Sequence, residues 1–191
     1  MIRLGLTGSI GMGKTTTAGM FRDRGVPVWD ADAVVHALYG PGGAAVPPLV
    51  EAFPDIVASD GGVDRSILRA HVAADPAVLD RVSAIVHPLV ARDREAFLMG
   101  RDDPLVVLDV PLLFEMGLDA RVDRVAVVST DATTQRDRIL SRGTMTGAEL
   151  DAILSRQIPD ADKRARADYV IDTSTPATAR AMVDRIMAEL T

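Results

Sequence analysis

The sequence contains no cysteine and no asparagine, only two lysines, and a 4% share of aromatic residues. Without cysteine there is no disulfide framework, no thiolate zinc cluster, no thiol nucleophile and no redox pair. With so few aromatics the core must be built from Val, Leu, Ala, Ile and Met. No stretch approaches the ~18 apolar residues of a membrane span. The opening MIRLGLTGS is too quickly broken for a signal peptide, so the expected compartment is the cytoplasm. Positive charge is also short: the net charge is −6 and the pI ≈ 5.0. That balance argues against nucleic acid or an anionic membrane as a partner, and no obligate protein partner is expected.

What is present is ordinary for a globular chain of 191 residues, 48% hydrophobic and 25% charged, which excludes a disordered or fibrous class. Short apolar runs alternate with longer amphipathic stretches, the pattern of an α/β fold with a parallel sheet. Residues 2–7 read as a buried strand, 8–13 as a glycine-rich loop and 14–24 as a helix ended by Gly25. A second strand is expected over 26–29 and a helix over 31–39. Residues 40–48 read as a break, and 49–100 as short helices separated by Pro54, Gly61-Gly62, Pro76 and Pro88. That middle suits a helical insertion for a second ligand. Strands return at 105–110 and 124–129, helices at 131–142 and 147–157, a last strand at 169–172, and a proline-started helix at 176–190. There is no internal repeat and no long linker, so one domain is expected.

The sharpest motif is Gly8-Ser9-Ile10-Gly11-Met12-Gly13-Lys14-Thr15, a full G-x-x-x-x-G-K-[ST] between an expected strand and an expected helix. Glycines let the backbone approach an anion with its N–H groups pointing inward, and the helix N-terminus adds its dipole. Lys14 then supplies a point charge between the β- and γ-phosphates, and the Thr15 hydroxyl can hold Mg²⁺. One of the two lysines therefore stands where a nucleoside triphosphate site needs it. Such a loop serves switches, motors and kinases alike. Guanine-specific switches read their base through an asparagine-lysine-x-aspartate segment, which a chain without asparagine does not have. A motor needs more chain and a polymer surface. A small kinase remains.

Three further groups suit that chemistry, each with a plainer alternative. The second strand ends Trp29-Asp30-Ala31-Asp32, delivering two acids to the ligand end of a doubly wound sheet. Asp32 is the candidate base for an acceptor hydroxyl, or simply a favourable charge in a first helical turn; Asp30 reads as a helix cap. The apolar strand closing at Asp109 has the form of a metal-holding Walker B strand, although many buried strands end in Asp. Arg138 and Arg142 lie four apart on one helical face, where they would neutralise a transferring phosphoryl or merely face water.

Together these residues resemble the dephospho-CoA kinase family, almost end to end. The resemblance runs through Leu6-Thr7-Gly8 to Thr15, Asp30-Ala31-Asp32, Asp60-Gly61-Gly62-Val63-Asp64-Arg65 with Leu68, His87-Pro88 and Pro111-Leu112-Leu113-Phe114-Glu115. It closes with Gln135, Arg138, Arg142, Gln157, Lys163 and Ala167 to Asp172. It implies a three-layer P-loop kinase with a central parallel sheet, a helical substrate-binding insertion and a helical lid. The core would comprise 1–39, 104–130 and 168–191, the CoA-binding region about 40–100, and the lid about 131–157.

The implied reaction moves the ATP γ-phosphoryl to the ribose 3′-hydroxyl of dephospho-CoA, the last step of coenzyme A biosynthesis. Asp32, Lys14, Arg138 and Arg142 would be the catalytic groups. Gly8, Gly11, Met12, Gly13, Lys14, Thr15 and Thr16 would hold the nucleotide, and Thr15 with Asp109 the Mg²⁺. Thr7, Arg65, His87, Pro111, Leu112 and Glu115 would line the acceptor. Asp64 can equally cap a helix, His87 can mark a helix start, and Glu115 can be a buried acceptor of hydrogen bonds; Gln157 and Lys163 suit the lid and core. Departures from the family pattern are Ser9 and Met12, at free positions of the loop, Pro54 for a usual Gly, and Thr173 where Asn is common. Adenine would then be read by backbone atoms or by Thr173. A related small kinase, or a slow nucleotide-hydrolysing regulator, are the readings that compete.

Overall fold

A computed structural model describes residues 1–191. The chain forms two compact units, one of residues 1–30 with 102–191 and one of residues 31–101.

The first unit is built on five strands: β1 (Ile2–Thr7), β2 (Val28–Asp30), β3 (Leu105–Asp109), β4 (Arg124–Ser129) and β5 (Tyr169–Asp172). All neighbours are parallel, in the order β2-β3-β1-β4-β5. Parallel strands need crossover connections, which is why short apolar runs alternate with helical stretches. Every residue of β3 is buried, as its unbroken apolar run requires. Helices α1 (Lys14–Arg22) and α9 (Pro176–Leu190) pack their apolar faces into one aliphatic core with the sheet; Leu4, Leu6, Phe21, Val107, Ile171 and Ile186 belong to it. The register sets Leu6 beside Asp109, Asp30 beside Asp109, and Ser129 beside Asp172, so the polar strand ends gather at one edge.

The second unit is helical: α2 (Ala31–Tyr39), α3 (Val46–Ala52), α4 (Arg65–Ala74) and α5 (Ala77–Leu98) surround a separate core that includes Leu49, Ile56, Leu68, Val82 and Val86. The unit starts at Ala31, ahead of the start expected near 40, because Val35, Leu38 and Tyr39 of α2 pack into this core. Three prolines also behave differently from expectation. Pro47 and Pro48 open α3 rather than extend the break, since a first helical turn has no use for their missing N–H. Pro88 does not end a helix; it sits inside the 22-residue α5, so His87 marks no helix start. A proline there has no N–H for the Ala84 carbonyl, and Ala84, His87 and Pro88 are all exposed, so the loss falls on the solvent face of the helix.

The rest of the chain supplies α6 (Ala132–Leu140), α7 (Gly147–Leu154) and α8 (Asp160–Ala165), plus a 3-10 turn at Leu118–Arg121. Sequence pattern did not foresee the last two, which are too short to show a period. Asp131 and Thr146 cap α6 and α7, the latter in a reciprocal box with Glu149. No helix is long and apolar enough to cross a membrane.

Candidate active site

The glycine-rich loop runs from the end of β1 into α1, and its shape follows from its sequence. Gly8 lies so close to β4 that a Cβ there would stand 2.3 Å from Val128 Cγ2. Gly13 precedes α1 with φ 91°, a left-handed conformation that other residues adopt at a cost. It also brings no side chain to cap the helix. The N–H groups of the first turn therefore keep their hydrogen-bonding capacity for an anion.

Lys14 opens α1, and its Nζ stands 2.6 Å from Asp109 Oδ1. Asp109 is only 1% exposed at the end of β3, where a carboxylate needs a countercharge. The lysine expected at phosphates and the acid expected at a metal thus meet at the loop. Thr15 and Thr16 are exposed in the same turn. No group of three or more His, Asp or Glu is arranged to hold a metal unaided. Mg²⁺ is commonly held by one or two carboxylates together with substrate phosphates, a role that suits Asp109 and the Thr15 hydroxyl.

Arg138 and Arg142 border a cavity of ≈ 330 Å³ with Gly11, Gly13, Thr16 and Thr173. Arg138 is held there: its Nη2 donates to the Thr173 carbonyl at 2.5 Å and its Nη1 to Thr173 Oγ1 at 3.2 Å. Thr173 Oγ1 in turn donates to the Met12 carbonyl at 2.7 Å. Thr173 is buried, so its side chain fixes an arginine and the loop. Met12 is not at a free position either. Its side chain is buried in the sheet core and its Sδ accepts the Thr130 N–H at 3.3 Å.

Of the residues expected at the acceptor, Thr7 is fully buried and donates to the Pro111 carbonyl at 3.0 Å. That makes it a tie that positions the 111–115 segment, of which Leu112 is exposed. Glu115 accepts the Ile158 N–H at 3.0 Å and lies 2.8 Å from Nζ of Lys163, a fully buried lysine. Burial pushes the Glu115 carboxyl up, but Lys163 and the backbone N–H groups outweigh it and hold the group below its ordinary value. Glu115 and Lys163 are thus structural partners.

Asp32, Arg65 and His87 lie in the helical unit. Asp32 is exposed in the first turn of α2, and His87 is exposed on α5. Asp64 caps α4 by accepting the N–H groups of Ser66 and Ile67. Arg65 follows it, its guanidinium 5.2 Å from the centre of the Tyr39 ring, on a cavity of ≈ 220 Å³ that Asp60 and Gly62 also line. Asp30 closes β2 directly ahead of α2, and its carboxylate is 3.6 Å from Arg22. Sequence reasoning missed the hydroxyls of Thr17, Ser141 and Thr175 around the larger cavity, because no motif joins residues so far apart.

Comparison with known proteins converges. The family model described as dephospho-CoA kinase matches residues 2–178. A dephospho-CoA kinase of Cereibacter sphaeroides is 53% identical over 188 residues, covering 98% of this chain and 95% of the relative. One from Jannaschia sp. is 54% identical over 189 residues, covering 98% and 96%. Among solved structures, a Thermus thermophilus protein superposes with a TM-score of 0.88 at 33% identity, covering 100% of this chain and 98% of that one. The dephospho-CoA kinase from Campylobacter jejuni gives 0.68 at 21%, covering 99% and 97%, a likeness of fold.

Proposed function

The chain belongs to the dephospho-CoA kinase family, and from that premise we propose that it uses ATP and Mg²⁺ to phosphorylate the ribose 3′-hydroxyl of dephospho-CoA. The observation that carries the reading is the uncapped start of α1 beside the Lys14–Asp109 pair. The N–H groups of the loop and first turn cradle the triphosphate. Lys14 exchanges Asp109 for a β,γ-phosphate oxygen, and Asp109 with the Thr15 hydroxyl faces the cation. Mg²⁺ when bound would neutralise charge on the β- and γ-oxygens. Arg138, fixed by Thr173, and Arg142 stabilise the phosphoryl in flight.

In the transfer the 3′-oxygen bonds to the γ-phosphorus as its bond to the bridging oxygen breaks. Asp32 takes or orients the hydroxyl proton, and ADP carries away the leaving oxygen's charge. Arg65, His87 and the 111–115 segment hold the acceptor, Thr7 and Glu115 serving the segment's position. The reading goes with a cytoplasmic enzyme that acts on small molecules and needs no nucleic-acid, membrane or protein partner.

An ADP-release assay tests it. The reading expects ADP only when dephospho-CoA is present, with the product phosphorylated at the 3′-position. Equal ADP release without that acceptor would mark a slow nucleotide hydrolase, and dependence on another hydroxyl compound a different kinase.

A further inference from the structure

The two peptide groups that flank the Ile10 Cα, in the middle of the glycine-rich loop, are each gripped by a glutamine distant in sequence. Gln135, buried on α6, donates from Nε2 to the Ile10 carbonyl at 2.7 Å. Gln157, in the turn after α7, accepts the Ile10 N–H at its Oε1 at 3.3 Å. The roles are forced by the partners, since a carbonyl only accepts and an N–H only donates. Ile158, the next residue, donates its N–H to Glu115, which is anchored by fully buried Lys163. The second grip thus hangs on a chain of polar contacts that runs from Lys163 to the loop. Neither glutamine lines the cavity that holds Arg138 and Arg142, so both act on the loop and not on a ligand there.

We propose that Gln135 and Gln157 are positioning residues that fix the two peptide planes meeting at Ile10, and with them the aim of the loop's N–H groups at the transferring phosphates. The physical need is plain. A loop rich in glycine is soft about φ and ψ, and its donors must point inward before a phosphate arrives if they are to stabilise charge without reorganising. One grip on each of the two planes that meet at Ile10 restrains its φ and ψ together, which a single hydrogen bond does not. Because the grips come from α6 and from the turn after α7, the arginine-bearing segment cannot shift without pulling on the loop. Loop geometry and arginine placement are thereby one variable.

The inference rests on the reading of the loop as a nucleotide site, and its test separates the two. Gln135→Met and Gln157→Met keep length while removing the grip. Each should lower kcat by ~10–10², the scale on which a small misplacement acts, with KM for dephospho-CoA nearly constant. The double variant should lose less than the product of the single losses, since both grips restrain the backbone of one residue. The donor and acceptor roles then predict an asymmetry. Gln157→Glu still accepts, so the Ile10 amide should exchange its proton as slowly as in the unaltered protein, whereas Gln157→Met should speed that exchange at least ~10-fold. Gln135→Glu cannot donate when ionised, and should lose as much kcat as Gln135→Met. Unchanged kcat in both Met variants, or equal Ile10 exchange in Gln157→Met and Gln157→Glu, overturns the proposal while leaving the kinase reading intact. An unaltered protein that forms no coenzyme A overturns the kinase reading, while Ile10 exchange still reports whether the grip exists.

Discussion

Lys14 and Asp109 neutralise each other across 2.6 Å, and this pairing shapes what each substitution should do. Lys14→Ala removes the charge proposed for the phosphates and takes the Lys14 ammonium away from a 1%-exposed carboxylate. Turnover should fall by ~10²–10³, and the melting temperature should fall as well; full turnover in a steady-state assay would contradict the phosphate role. Asp32 presents the opposite case, exposed and with little to lose structurally. Asp32→Asn should reduce kcat by ~10²–10⁴ and leave ATP affinity near normal, whereas Asp30→Asn should be milder. An inactive Asp30→Asn protein beside an active Asp32→Asn one would move the base to Asp30. The loop's backbone demands were legible where a spacing names them, as in the close approach at Gly8 and the left-handed Gly13. Thr173 and Met12 were not, because their meaning lies in a hydrogen bond between residues 161 positions apart.

At the scale of elements, α5 carries a proline in its interior that its packing tolerates. Val78, Val82 and Val86 bury one face on the helical core, and that burial offsets the lost hydrogen bond. Pro88→Ala should therefore restore a bond to Ala84 and raise stability by ~1–2 kcal/mol, after the entropy that proline removes from the unfolded chain is discounted. A chemical denaturation curve decides it, and a lower midpoint would mean that the backbone there is not helical enough to accept an N–H. The proline misled the sequence reading for this same reason: a local breaker signal was weaker than a buried valine stripe. Strands β1, β4 and β5 and helices α2 and α9, with no such conflict, have the bounds their patterns indicate.

The start of β1 is tied to the approach of β4 by Arg3 and Asp123, with Nη2 to Oδ1 at 2.8 Å and Nε to Oδ2 at 3.0 Å. The Arg3 guanidinium, against a smaller opposing effect of burial, holds the Asp123 carboxyl down from 3.8 to about 2. A carboxyl lowered on folding stabilises above its unfolded value and loses that contribution as the pH drops through its folded one. The stability difference between the native protein and Asp123→Asn should thus be constant near neutrality and close between pH 3.8 and about 2. Both side chains are more than a third exposed, so water and salt screen the pair and the difference should shrink at high ionic strength. A gap that persists below pH 2 would assign it to packing.

Over the whole molecule, two cores imply two stabilities. Leu49 is fully buried in the helical unit, and Leu49→Ala should cost ~2–5 kcal/mol. Amide exchange should quicken across α3, α4 and α5 and stay slow in β1 and β3 if the units open separately. Uniform quickening would show one cooperative body. The parallel sheet and the helical middle were readable from the alternation of apolar runs, but the seam at Ala31 was not. A helix declares its apolar face in sequence without declaring which core receives it.

The strand order has a consequence for how the chain is made. β1 is flanked by β3 and β4, so Ile2 finds its β3 partner only at Leu105, and Leu4 its β4 partner only at Arg124. During synthesis the strand that leads into the glycine-rich loop leaves the ribosome about a hundred residues ahead of the strands it pairs with. The helical stretch between them makes short-range contacts and needs no such wait. β1 therefore waits for its final neighbours while the helical stretch already folds, and through that interval an apolar strand edge stands open to association with other chains.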